Sequence, residues 1–201
     1  MTEVLKLGQK VPDFEITTYE HTRKDFGKFS LKEQIDKKRW TILFFYPADF
    51  TFVCATEFAA LAEQHEQFVT KGCDVVTVST DTEYVHLAWQ QSEKELADVR
   101  YPMGADPTGK LSRLFGVYDE ATGLALRGAF IINPEGVLLS EEVNFYNLGR
   151  NIDELLRKFR ANLYMATNTG EVCPSKWRDE GDKTLTPSAA MVGRVHEALG
   201  R

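Results

Sequence analysis

Apolar and polar positions along the chain follow two spacings, which together predict strands alternating with helices. The continuous apolar run at 40–46 indicates a strand buried on both faces, and the β-branched run at 74–79 indicates a second strand. The segment between these strands and the segment at 80–96 both show helical spacing. The residues that carry this spacing are Phe58, Leu61, His65, Phe68 and Val69 in the first helix, and Val85, Trp89 and Leu96 in the second.

Weaker patterns complete the predicted order of elements. Residues 12–18 predict a short early strand, and residues 111–115 a short helix. The turn sequence Asn-Pro-Glu-Gly at 133–136 joins apolar runs at 129–132 and 137–139 and predicts a hairpin. Strands that alternate with helices and end in a hairpin indicate an α/β fold whose central mixed sheet is flanked by helices.

The last part of the chain changes character. A long amphipathic helix is predicted over 152–163, after which charged residues, Thr, Ser and Pro dominate and the periodicity is weak until 191–199. We therefore expect one domain over 1–165 and a C-terminal arm over 166–201.

Composition narrows the class of protein. The chain has 201 residues, 43% of them hydrophobic, which is enough for one core. Its net charge of −6 gives no reason to expect a nucleic acid or a membrane surface as a partner. No apolar stretch reaches the roughly 18–20 residues of a membrane span, and no signal-peptide pattern begins the chain, so we expect a cytoplasmic protein. In a reducing compartment, three cysteines favour catalytic or redox-sensing use.

Cys54 lies between the buried strand and the helix that follows it. A cysteine in the first turn of a helix is close to unpaired backbone N–H groups and to the positive end of the helix dipole, and both favour the reactive thiolate. Thr51 can present its hydroxyl to the same place, and Pro47 restricts the loop between strand and helix. The alternative is that Cys54 is a small buried apolar residue, the usual role of a free cysteine. The spacing Pro-x-x-x-Thr-x-x-Cys at the junction of strand and helix favours a reactive cysteine over a core residue.

At this motif the sequence resembles the peroxiredoxins, most closely the branch of the alkyl hydroperoxide reductase C subunits among the typical 2-Cys class. The similarity extends in family order over nearly the whole chain. It rests on Phe-Phe-Tyr-Pro-Ala-Asp-Phe-Thr-Phe-Val-Cys at 44–54, Val-Ser-Thr-Asp-Thr at 78–82, Asp-Pro-Thr-Gly at 106–109, Arg-Gly-Ala-Phe-Ile-Ile-Asn-Pro-Glu-Gly at 127–136 and Gly-Glu-Val-Cys-Pro at 170–174.

The resemblance implies a thioredoxin-like fold and the reduction of hydrogen peroxide and organic hydroperoxides without metal, haem or another cofactor. It also implies that Cys54 is the peroxidatic cysteine and Cys173 the resolving one, with Pro47, Thr51 and Arg127 completing the site. Without the resemblance, Arg127 would be interpreted as a surface charge at the start of a hairpin.

Two further residues are expected to support substrate orientation. The N–H groups around Val53 and Cys54 are suited to orient the peroxide, and Glu57 can position the guanidinium of Arg127. For Glu57, an ordinary glutamate near a helix N-terminus is the alternative. Cys73 is expected to be a core residue. The four histidines show no metal-ligand spacing, so no metal is expected.

The resemblance also predicts the partners. In the family the resolving cysteine comes from a second subunit, so a homodimer is expected, and rings of five dimers are typical. The electron donor is a thioredoxin-like dithiol protein or a flavoprotein disulfide reductase, and the sequence does not choose between them. A non-enzymatic role, as an oligomeric holdase or a redox relay, stays open as a second class of function.

Departures from the family pattern concern the mobility of the site. Ala55 stands where close relatives usually have Pro, which predicts a less rigid helix start. The segment 91–101 contains no Gly-Gly-Leu-Gly, and the C-terminal helix has no Tyr-Phe pair. Because those features mark relatives that overoxidise easily, we expect a robust enzyme whose arm unfolds readily.

Overall fold

A computed structural model describes residues 4–200. The strands are β1 (Glu15–Glu20), β2 (Asp25–Ser30), β3 (Trp40–Phe45), β4 (Cys73–Ser79), β5 (Met103–Ala105), β6 (Tyr118–Asp119), β7 (Leu124–Ala125), β8 (Arg127–Ile132) and β9 (Leu138–Asn144). The helices are α1 (Leu31–Asp36), α2 (Phe52–Thr70), α3 (Glu83–Ser92), α4 (Lys110–Leu114), α5 (Ile152–Thr167) and α6 (Val195–Ala198). Short 3₁₀ turns lie at Lys94–Leu96 and Ala189–Met191.

Seven strands form one mixed sheet in the order β2-β1-β5-β4-β3-β8-β9. The central pairs β3–β4 and β4–β5 are parallel, whereas β1 and β8 join the sheet antiparallel to β5 and β3. All six residues of β3 and all six of β8 are buried. This burial explains why their sequences are apolar apart from Thr41 and Arg127, because a strand covered on both faces has no polar face. The predicted α/β fold with a mixed sheet is therefore confirmed.

Helices pack on the sheet and position the site. Helix α2 packs on β4, α3 packs against β1 and β5, and α1 packs against β3. The hairpin β8–β9 has the predicted turn: Gly136 adopts a left-handed φ of 79°, and the Asn133 side chain accepts the Val137 amide at 2.8 Å. The α2 end is also as predicted, since Gly72 has a φ of 80°.

Several predicted boundaries were wrong. The early strand lies at Glu15–Glu20 rather than 12–18, and it pairs with β2, which the pattern did not reveal. The helix predicted over 80–96 is interrupted because Glu93 is extended and its carboxylate accepts the Glu95 amide at 3.2 Å, starting a separate 3₁₀ turn. On α3, Trp89 is buried as predicted, while the fully buried neighbour is His86 rather than Val85, which is half-buried.

The chain forms two compact units, which divide between Ile152 and Asp153. The first contains the sheet and helices α1–α4. In the second, α5 carries the residues that follow it: Trp177 is buried with its ring 5.6 Å from that of Tyr164, and Arg157 donates to the Trp177 carbonyl at 3.0 Å. Within 4–200, no helix is both long enough and apolar enough to cross a membrane.

Candidate active site

Cys54 lies in the first turn of α2, immediately after the loop that leaves β3. Its side chain is fully buried. Thr51 is the N-cap residue, but its hydroxyl makes no cap hydrogen bond to the helix and donates instead to the Ala48 carbonyl at 2.8 Å. Backbone N–H groups of the first turn therefore stay available near the sulfur, where they favour negative charge.

Arg127 brings a permanent cation to this sulfur. Its Nη1 atom lies 3.3 Å from the Cys54 Sγ atom, and its Nε atom donates to the Tyr146 carbonyl at 2.8 Å. The register of the sheet explains the position. Phe44 of β3 pairs with Ala129 of β8, so Arg127, two residues earlier on β8, lies beyond the end of β3, where the loop to α2 begins.

Glu57 holds this guanidinium and joins it to a second one. Its carboxylate accepts Arg127 Nη1 at 2.6 Å and Arg150 Nε at 2.9 Å, and all three side chains are buried. The Arg150 backbone amide also donates to Glu57 at 2.8 Å. Burial alone would raise the pKa of Glu57, but the hydrogen bonds and charge of Arg150, with the charge of Arg127, outweigh it and lower that pKa. Glu57 is therefore a buried carboxylate with two counter-charges.

Arg150 is the site residue that the sequence analysis missed. It donates to the Gly128 carbonyl at 2.6 Å, and its guanidinium carbon lies 3.3 Å from the centre of the Phe44 ring. Burial lowers its pKa, and Glu57 acts in the opposite direction. The sequence signal for Arg150 was the glycine that precedes it, just before α5. A Cβ on Gly149 would lie 3.2 Å from Val53 Cγ1, so glycine permits the backbone before Arg150 to approach the first turn of α2 closely.

A buried polar network fixes the loop that carries Pro47 and Thr51. Asp49 accepts the Tyr46 hydroxyl at 2.6 Å and lies 2.8 Å from His86 Nδ1, while the Asp49 amide donates to Asp81 at 2.9 Å. Burial raises the pKa of Asp49, against the opposing effect of His86. Neither Asp49 nor His86 was selected from the sequence, because their contact joins residues far apart in the chain.

The other predicted site residues lie on this loop and helix turn. Pro47 is buried directly after Tyr46, and Val53 is half-buried beside Cys54 in α2. Ala55 donates its amide to the Thr51 carbonyl at 3.2 Å, a bond that a proline at this position cannot make. The first turn thus has one hydrogen bond more than with proline, together with a freer backbone.

The remaining cysteines differ from Cys54. Cys73 is fully buried at the start of β4, and burial raises the pKa of its thiol well above the ordinary value, so it stays protonated. Cys173 is half-buried in the second unit; its pKa is raised by burial and by the Glu171 charge, while Arg157 lowers it. Only Cys54, of the three, has a guanidinium within hydrogen-bonding distance of its sulfur in residues 4–200.

Known proteins are similar to this chain in sequence and in fold. Residues 7–140 match the AhpC/TSA family. The alkyl hydroperoxide reductase C of Escherichia coli K12 is 45% identical over 170 residues, which cover 84% of this chain and 90% of that protein. A crystal structure of Enterococcus faecalis AhpC superposes with a TM-score of 0.79 at 42% identity, covering 84% of this chain and 98% of the other. A reduced 2-Cys peroxiredoxin of Plasmodium vivax superposes with a TM-score of 0.85 at 28% identity, covering 93% and 98% of the two chains.

The chain therefore belongs to the AhpC/TSA family. Its fold is the thioredoxin-like α/β fold of the peroxiredoxins, as predicted. It is an enzyme of the peroxiredoxin class, a thiol-dependent peroxidase of the alkyl hydroperoxide reductase C type.

Proposed function

We propose that Cys54 is the peroxidatic cysteine and that it reduces hydrogen peroxide and organic hydroperoxides. The thiolate attacks one peroxide oxygen, the S–O bond forms and the O–O bond breaks. The departing oxygen leaves as hydroxide or alkoxide and takes up a proton, and Cys54 becomes a sulfenic acid. Relatives carry the names alkyl hydroperoxide reductase and peroxiredoxin, which is consistent with this substrate class.

The contact between Arg127 and Cys54 is the observation that carries the proposal. Nη1 of Arg127 is shared between the Cys54 sulfur and Glu57, so the cation is held in place before substrate arrives. Within residues 4–200 its Nη2 atom donates to no other group, which leaves it available for a peroxide oxygen. Fixed donors of this kind stabilise the charge that develops on the leaving oxygen without reorganisation.

Thr51 and the first-turn amides complete the proposed substrate contacts. The Thr51 hydroxyl donates its hydrogen to Ala48, so its oxygen can accept from a protonated peroxide oxygen. The amides near Val53 and Cys54 can donate. Pro47, buried in the same loop, restricts access to the sulfur.

Cys173 is the proposed resolving cysteine. Its thiolate attacks the Cys54 sulfur, the S–S bond forms, the S–O bond breaks, and hydroxide leaves and becomes water. Cys54 is fully buried, so the first turn of α2 must unwind before another cysteine reaches it. Two features favour this unwinding: Phe50, in the loop before the turn, has a positive φ of 58°, and the Phe52 side chain at the start of the turn is 92% exposed.

We further propose a homodimer, with the disulfide joining Cys54 of one subunit to Cys173 of the other. Strand β9 is an edge strand of the sheet, and Leu139, Val143 and Phe145 on or beside it are exposed apolar residues. An unpaired edge of this kind favours pairing with a second copy. A ring of five dimers rests on the family resemblance alone. So does a thioredoxin-like or flavoprotein electron donor. A cytoplasmic location stays an expectation from the sequence.

Stoichiometric hydrogen peroxide added to the reduced protein tests the mechanism. A non-reducing gel should show a disulfide-linked dimer, which Cys54→Ser and Cys173→Ser each abolish. Cys73→Ser is the matched control and should leave the dimer unchanged, because Cys73 is buried and its thiol stays protonated. Peroxide consumption by Cys54→Ser at the wild-type rate would refute the assignment, as would loss of the dimer in Cys73→Ser.

A further inference from the structure

The segment that carries Cys173 is attached to α5 and to the later part of the arm at two places. On its N-terminal side, the Glu171 carboxylate accepts hydrogen bonds from two hydroxyls, that of Tyr164 on α5 at 2.9 Å and that of Thr184 in the arm. Both donors reach the same oxygen, Oε2. We call Tyr164, Glu171 and Thr184 the Glu171 clasp.

Backbone pairing reinforces the clasp next to the cysteine. The Val172 amide donates to the Leu185 carbonyl at 2.8 Å, and the Leu185 amide donates to the Val172 carbonyl at 3.1 Å, an isolated antiparallel bridge. Cys173 directly follows this bridge. Opening the clasp therefore also frees the two backbone bonds that hold the residue before the thiol.

The second attachment, beyond Cys173, is of a different kind. Trp177 is buried, so this attachment is stabilised by buried apolar area rather than by exposed hydrogen bonds. The clasp residues are only half-buried, so water can replace their hydrogen bonds as they break. Local opening begins where the contacts are few and solvated. The Glu171 side should consequently detach before the Trp177 side.

We propose that the Glu171 clasp restrains Cys173 and sets the rate of its disulfide with Cys54, and thereby the peroxide concentration that overoxidises Cys54. This inference rests on the proposed function, in which the sulfenic acid at Cys54 has two fates. Either Cys173 condenses with it, or a second peroxide oxidises it to the sulfinic acid and is itself reduced to water or an alcohol. A slower release of Cys173 lengthens the life of the sulfenic acid and favours the second fate.

Electrostatics act in the same direction as the hydrogen bonds. The hydroxyls of Thr184 and Tyr164 lower the pKa of Glu171, which therefore carries its charge at neutral pH. After burial, the Glu171 charge is the contribution that raises the pKa of Cys173, against the lowering effect of Arg157. Removing the Glu171 charge should release the segment and also increase the thiolate fraction of Cys173.

Glu171→Gln is the principal test. It keeps the size of the side chain and replaces two charge-assisted hydrogen bonds by neutral ones, so we expect disulfide formation to be about 3- to 10-fold faster. Rapid quenching with an alkylating agent after stoichiometric peroxide gives this rate. The peroxide concentration that converts half of Cys54 to sulfinic acid, read by mass spectrometry, should rise by a similar factor.

Three further variants separate restraint from general damage to the arm. Thr184→Val removes one donor and should accelerate the disulfide less than Glu171→Gln, whereas Thr184→Ser keeps the hydroxyl and should match the wild type. Asp179→Asn is the matched control. Asp179 follows Trp177 in the chain, and its Oδ2 atom lies 2.8 Å from Nη1 of Arg160. Weakening this ion pair should leave both readouts unchanged.

The outcomes distinguish this inference from the proposed function. A rate of disulfide formation in Glu171→Gln equal to or below that of the wild type would overturn the clasp. The carboxylate would then either have no effect on the release of Cys173 or position Cys173 productively. Acceleration by Asp179→Asn as large as that by Glu171→Gln would also overturn it. Persistence of the dimer in Cys173→Ser would instead refute the resolving role itself.

Discussion

Cys54 and Cys173 lie in surroundings of opposite character. Cys54 is fully buried, and its neighbours Arg127, Glu57 and Arg150 form a closed set of ion pairs with side-chain exposures of 4% or less. Cys173 is half-buried and is held by a few hydrogen bonds of partly exposed groups. Under the proposed mechanism the two thiols therefore need different surroundings: fixed charges hold the environment of Cys54, and a weak restraint lets Cys173 move.

The energetic consequence follows from burial. Removing one partner of a buried ion pair leaves an uncompensated charge and costs about 3–5 kcal/mol. Exposed pairs contribute about 0–1 kcal/mol. Substitutions near Cys54 should therefore have large effects on rate and stability, and most substitutions near Cys173 should alter mobility with little change in global stability.

The largest effect is expected for Arg127→Gln. The variant removes the fixed cation beside Cys54, and kcat/KM for hydrogen peroxide should fall by about 10²–10³-fold, the usual cost of losing one aligned donor of developing charge. Steady-state peroxide consumption with a saturating reductant measures it. Arg113→Lys is the control, since Arg113 pairs with Glu120 on the surface, and its activity should stay within about twofold of wild type. An Arg127→Gln enzyme with undiminished kcat/KM would remove Arg127 from the mechanism.

Glu57→Gln comes next and should destabilise the fold by about 3 kcal/mol, because two buried guanidinium groups lose their shared counter-charge. Urea unfolding at fixed protein concentration measures this difference. The surface variant Glu154→Gln, whose partner is Arg157, should cost less than about 1 kcal/mol.

The contribution of Glu57 to the stability of the fold should also depend on pH. Since folding lowers the pKa of Glu57, its stabilising contribution is complete above the unfolded value of about 4.3 and is lost as the pH falls through the folded value. The stability difference between wild type and Glu57→Gln should be constant from pH 7 to 5 and shrink below that. A difference that grew on acidification would contradict the ionised state assigned to Glu57.

Trp177→Ala tests the buried attachment of the arm. Removing this side chain should cost about 3 kcal/mol of local stability, equivalent to about 10²-fold more frequent opening. Trypsin cleavage at the exposed Lys176 and Arg178 measures opening directly. Trp177→Phe should have a much smaller effect, because it keeps an aromatic ring and removes a buried indole N–H that has no partner within residues 4–200. Equal cleavage rates in Trp177→Ala and wild type would exclude Trp177 as an anchor.

The smallest effect is expected for Ala55→Pro. Proline removes the bond from the Ala55 amide to Thr51, worth about 1 kcal/mol, and offsets it with about 0.4–1 kcal/mol from reduced freedom of the unwound chain. The rate of disulfide formation should change less than about threefold. A tenfold change in either direction would show that the first turn of α2 limits resolution more strongly than these two terms allow.

Sequence patterns predicted the architecture well where burial is uniform and poorly where it is not. Strand β3 and the hairpin β8–β9 were located because continuous apolar runs and turn residues determine them locally. The pair β1–β2 and the break at Glu93 were not, because a short edge strand and a side-chain hydrogen bond leave little trace in apolar spacing. The assigned catalytic roles all stay predictions, those of Cys54, Cys173, Arg127, Thr51, Pro47, Glu57 and Val53.

The sequence by itself determined the position of Cys54 at the end of a buried strand and the start of a helix, since apolar spacing, Pro47 and Thr51 are neighbours in the chain. Only the tertiary structure decided what surrounds the sulfur. Arg127 lies 73 residues away from Cys54, and Arg150 lies 93 residues from Glu57. Pairing of β3 with β8 brings the first cation to Cys54, and the Glu57 carboxylate holds the second because a buried charge requires a partner.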